Sequence, residues 1–206
     1  MDWPLFCYLL VVVLLLRFGG RLQWPSTDSV NTVTAATVAI LILWQLKAAL
    51  HPLLPLHFLG ITALTLMAGA RGALVAASLL AVANSLWHDT LPSLSLELLC
   101  LVAVPVLVSR SALFVVRALL PGHLFIYIFV AGFLGSALAL SAGYGLRSLL
   151  LAHWGWVSWS QAVSQGIELL PLLAFPEALM NGMAVTLMAV YRPQWLATFD
   201  EQRFLR

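Results

Sequence analysis

Glu177 and Asn181 stand four residues apart in LLAFPEALMNGMAVTLMAVY (172–191), an otherwise apolar run long enough to cross a bilayer. An ionised carboxylate at that depth costs roughly 2.5–3.5 kcal/mol on insertion scales, so it is retained with a partner or a watery cavity. The spacing of four puts both side chains on one helix face. Pro176 removes a backbone donor and predicts a kink beside the carboxylate, and Gly182 lets a second helix approach. Two uses fit this arrangement: a buried hydrogen bond tying helices together, or countercharge along the path of a cation.

His57 opens HFLGITALTLMAG (57–69) just after Pro55. Neutral imidazole is a ligand for nickel, cobalt, zinc and copper ions; at a helix start it also serves as an interfacial hydrogen-bonding group. His88 and Asp89 are adjacent in WHDT (87–90), where they either gather a cation or form a solvated turn. Glu97, near the start of its own apolar run, either complements a helix N-terminus or faces a cavity. Cys7 and Cys100 lie in apolar runs without CxxC spacing and read as small buried hydrophobes. GxSxG, HExxH and the phosphate-binding GxxxxGK[ST] are all lacking, so no catalytic residue, no permanent cofactor and no enzyme activity is expected.

The elements that must position these groups are set by composition. Of 206 residues 62% are hydrophobic and 9% charged, too few polar side chains to cover a water-soluble domain. The net charge of +2 and the lack of a basic patch exclude a nucleic-acid partner. Apolar runs at about 3–18, 31–50, 56–69, 72–87, 93–117, 124–151 and 166–191 predict an all-α membrane protein of seven transmembrane helices. They form a single integral domain over 1–206 with a cytoplasmic tail at 192–206. The third and fourth runs are short and join at GARG (69–72); separate spans are expected there rather than one broken re-entrant pair. Asp2 replaces the positive charge a secretory signal needs, so the first run is read as an uncleaved helix.

Seven crossings divide the ten basic residues unequally. Arg17, Arg21, Arg71, Arg110, Arg117, Arg192, Arg203 and Arg206 fall on one side, Lys47 and Arg147 on the other. The positive-inside rule then puts the N-terminus outside and the C-terminus in the cytoplasm. Asp2, His51, His57, His88 and Glu97 all come to the outer half, with Trp87, Trp154, Trp156 and Trp159 as an interfacial belt. In the tail, Arg192, Trp195 and Arg203 are expected to anchor the inner interface.

HFLGITALTLMAG (57–69), FIYIFVAGFLGSALA (125–139) and FPEALMNGMAVTLMAVYRPQWLATFDEQRFL (175–205) resemble CbiM-like permeases of energy-coupling factor ABC transporters. The resemblance implies a seven-helix, substrate-capturing subunit of the bacterial inner membrane for cobalt or nickel. It would work with a second, coupling membrane subunit and a cytoplasmic ATPase. In that family the amino terminus, a histidine at position two and a later histidine hold the metal. His57 matches the later histidine, and Glu177 falls at the acidic position of the last helix. Position two here is Asp2, an oxygen ligand that lowers preference for cobalt or nickel relative to an all-nitrogen site. The metal set implied is therefore His57 and Asp2, helped by His51 or His88, for a transported divalent transition-metal ion; another cation or a lost metal site stays open. Two other readings remain: a non-transporting subunit or assembly factor of a respiratory or metal-handling complex, and a vitamin-type uptake subunit.

Overall fold

The computed structural model describes residues 3–18, 27–48 and 53–204. Among them every named element is helical: α1 (Trp3–Phe18), α2 (Thr27–Leu43), α3 (Ile61–Trp87), α4 (Leu91–Leu119), α5 (Leu124–His153), α6 (Trp159–Tyr191) and a short tail helix α7 (Glu201–Phe204). The helices α3 to α6 are long and apolar enough to cross a membrane. Leu172, Phe175, Phe6 and Phe114 stay at least two-thirds exposed, so the helices present apolar surface outward, as lipid requires and water would not tolerate. This is a multi-pass membrane protein.

Helix α3 merges the two runs expected at 56–69 and 72–87, but it is not straight. Trp44 Nε1 donates to the Leu59 carbonyl at 3.1 Å, and His88 Nε2 pairs with Gln45 Oε1 at 2.8 Å. Neighbouring residues at the end of α2 thus touch both ends of α3, whereas an unbroken 27-residue helix would hold its ends roughly 40 Å apart. The chain turns back at Gly69, whose φ of 69° and ψ of 167° are non-helical. Glycine takes that backbone without steric penalty. The GARG junction therefore joins two oppositely running halves, 61–68 and 70–87.

The first half begins later than the sequence suggests. His57 does not start a helix; residues 57–60 are non-helical and α3 begins at Ile61. Gly60 is the reason at the junction: its φ is 67°, and a Cβ there would sit 2.9 Å from Ile40 Cγ1. Gly60→Ala combines the left-handed penalty of roughly 1–2 kcal/mol with that overlap. We expect a fall in thermal midpoint of at least about 4 °C in detergent. Helix α2 likewise ends at Leu43 rather than near residue 50.

Apolar packing divides into two clusters. One gathers around Trp44, Leu59, Tyr144 and Cys100; the other around Leu66, Tyr127, Val185 and Phe204. Cys100 is fully buried and free, and Cys7 is half-buried and free. Trp3 meets Trp154 at 5.2 Å between ring centroids, and Trp154 meets Trp156 at 5.5 Å, so part of the expected aromatic belt is contiguous.

Candidate functional site

The site is built from the non-helical segment Leu56–Gly60, which has to satisfy its backbone without a helix. Leu56 exchanges both backbone hydrogen bonds with Ala48, at 2.8 and 2.9 Å. The Tyr144 hydroxyl accepts from the His57 amide and donates to its carbonyl, both at 3.0 Å. Trp44 takes the Leu59 carbonyl. The Leu59 and Gly60 amides donate to Glu177 Oε2 and Oε1 at 3.0 and 2.8 Å, and the Gly60 carbonyl accepts from the Leu64 amide.

Glu177 is therefore a cap supplied from another helix. No side chain of α3 caps its own N-terminus. The Glu177 carboxylate does so in its place, beside the positive end of the helix dipole. Asn181 extends the cap: its Nδ2 donates to Glu177 Oε1 at 2.8 Å and to the Glu177 carbonyl at 2.9 Å. Its Oδ1 accepts from the Ala63 amide at 2.9 Å. Both side chains are buried. Gly182 beside them lies against the Phe133 ring of α5.

His57 is buried at 4% exposure between the Trp44 and Tyr144 rings, at centroid distances of 4.7 and 5.9 Å. Its Nδ1 lies 3.0 Å from the Phe58 carbonyl, which can only accept, so Nδ1 carries the proton. In the neutral ring that leaves a lone pair on Nε2, and among the described residues nothing hydrogen-bonds to it. A histidine oriented through one nitrogen by a carbonyl and open at the other is the usual form of a metal ligand.

The remaining candidates are placed differently. His88 is exposed, and its Nε2 is engaged by Gln45. Glu97 is buried in the first turn of Leu94–Glu97 and accepts from Ser85 Oγ at 3.2 Å. Asp2 and His51 lie outside the described residues. Among the described residues no three His, Cys, Asp or Glu side chains come together as a metal-holding group. Two cations stand near this end. Lys47 Nζ donates to Asn84 Oδ1 at 3.2 Å. Arg147, one turn from Tyr144, is buried with its Nε unpartnered.

Two residues that build this site carried no sequence signal as candidates: Trp44 and Tyr144. Tyr144→Phe removes one oxygen and leaves the His57 amide and carbonyl unmatched. We expect a loss of about 1–3 kcal/mol in stability, read as a lower thermal midpoint with secondary structure retained by circular dichroism.

The fold and site define a polytopic membrane protein with an unwound, histidine-bearing segment held by side chains of α5, α6 and the turn that follows α2. Residues 1–195 match the family model CbiM, the cobalt uptake substrate-specific transmembrane region, and the chain belongs to that family. It is a family of membrane transport components rather than enzymes. Comparisons with curated proteins and with solved structures gave no match.

Proposed function

We propose that this chain is the substrate-capturing membrane subunit of an energy-coupling uptake system for a divalent transition-metal ion of the cobalt and nickel kind. His57 Nε2 is its principal ligand, and Asp2 and His51 are the further ligands of the proposed set. The observation that carries the reading is the Leu56–Gly60 segment, unwound and matched by Ala48, Tyr144, Trp44 and Glu177 so that one imidazole nitrogen stays open. Irregular backbone at membrane depth is tolerated where protein buries it or where it lines a cavity, and such segments build substrate sites in other transporters.

The reading includes seven crossings. The fold-back at Gly69 supports counting the two halves of α3 separately, and the distribution of arginines then puts the N-terminus outside and the C-terminus inside the bacterial inner membrane. Asp2 supplies negative charge and His51 a second nitrogen. Glu177 serves as the helix cap and not as a stepping stone for the ion, because both its oxygens are committed to protein donors. A coupling membrane subunit and a cytoplasmic ATPase supply the energy, as the resemblance to energy-coupling permeases implies.

Uptake of labelled cobalt and nickel into cells carrying the gene with its coupling partners, against cells lacking it, tests the proposal. Gene-dependent accumulation that vanishes in His57→Ala is the expected result. Equal accumulation with and without the gene would refute it.

A further inference from the structure

The half-helix 61–68 is clamped at both ends. Its start is held by Glu177 and Asn181; its end is held by the tail. The break at Gly69 interrupts the helical ladder, and the carbonyls of Leu66 and Met67 are taken by residues beyond α6. The Ala197 amide donates to Met67 O at 3.0 Å, the Thr198 amide to Leu66 O at 3.2 Å and Thr198 Oγ1 to Leu66 O at 2.7 Å. The tail is itself pinned. Thr198 Oγ1 pairs with the Tyr127 hydroxyl at 2.9 Å, Arg117 donates to the Thr198 carbonyl, and Arg203 donates to the Arg117 carbonyl. Phe199 and Phe204 pack on the Tyr127 ring at 5.1 and 5.0 Å.

We propose that the segment Leu196–Phe204 is a releasable latch which, through the half-helix 61–68, sets the position of the His57 segment at the other end. Eight helical residues span about 12 Å and are too short to bend, so a shift at Leu66 is carried to Gly60. The two clamps differ in strength. Three donors converge on a carboxylate at the Glu177 end, and such charge-assisted bonds are roughly twice as strong as neutral ones. The bonds of the tail to Leu66 and Met67 are all neutral, so the contact between tail and half-helix gives way before the Glu177 clamp, even though the Arg117 guanidinium also holds the tail. Anything that engages the tail at its own face then loosens the segment that presents His57. The functional consequence rests on His57 being a ligand; the mechanical link does not.

Hydrogen exchange followed by mass spectrometry on the purified full chain in detergent, without metal, tests the link. Thr198→Val keeps the shape and the amide but removes the hydroxyl. Gly122→Ala loosens the tail from the opposite side, because a Cβ there would meet the Arg203 carbonyl oxygen at 2.5 Å. Both variants are expected to speed exchange across 59–68 by at least about tenfold, with 148–153 unchanged and Thr198→Ser at the wild-type rate. Wild-type exchange across 59–68 in both variants would overturn the proposal, whatever happens in the tail. Because no metal is present, that failure is separable from failure of the transport reading.

Discussion

Glu177→Ala is expected to be the most destabilising single change in the molecule. It leaves the Leu59 and Gly60 amides without acceptors and removes one of the two acceptors of Asn181 Nδ2, the Glu177 carbonyl remaining. Each buried donor left unmatched costs about 1–3 kcal/mol, so the total for three is on the order of 3–9 kcal/mol. For a chain of this size that corresponds to a thermal midpoint lower by at least about 6 °C. Glu177→Gln keeps one acceptor oxygen but turns an amide NH₂ toward the other backbone donor, and about half the loss is expected. Asn181→Ala should fall between, since it strands the Ala63 amide but leaves the carboxylate in place. Thermal unfolding of the purified variants in one detergent checks the order, with Glu177→Ala melting below Glu177→Gln. Equal midpoints for wild type and Glu177→Ala would show that the cap contributes nothing.

His57→Ala separates ligand from scaffold. The side chain contributes ring contacts to Trp44 and Tyr144, while its backbone bonds to Tyr144 survive the substitution. Its thermal midpoint is therefore expected to fall less than that of Glu177→Ala. Metal affinity should fall by more, because loss of an outer-shell partner alone costs about 10–100-fold and this change removes the ligand itself. Titration of the purified protein with cobalt reads the affinity. A variant that unfolds like Glu177→Ala while binding cobalt normally would reverse the two roles.

Some of this arrangement was legible in the sequence. A carboxylate and an amide four residues apart in an apolar run must share a face, and Gly182 beside them had to meet another helix. Their partners were not legible, because Leu59, Gly60 and Ala63 contribute backbone amides, which leave no trace in side-chain pattern. Two glycines in GARG marked the junction where α3 turns. The late start of that helix was hidden, since HFLGITAL reads as part of one largely apolar run, and tertiary bonds together with the left-handed backbone of Gly60 hold its first four residues out of the helix. Trp44 and Tyr144 gave no signal for a similar reason: an indole or a phenol in an apolar run has the same composition whether its polar atom is used or idle. The tail was expected to anchor an interface through Arg192, Trp195 and Arg203. Beyond that expectation, Thr198 and the Leu66 carbonyl meet across 132 residues of sequence, a pairing that no local pattern encodes.

X-ray absorption at the cobalt edge of the loaded, full-length protein tests the central claim most directly, namely that an open nitrogen of His57 takes the ion. The account predicts imidazole scattering in the wild type that weakens by one ring in His57→Ala and is retained in His88→Ala. A spectrum unchanged by His57→Ala, or one lacking imidazole altogether, would contradict it.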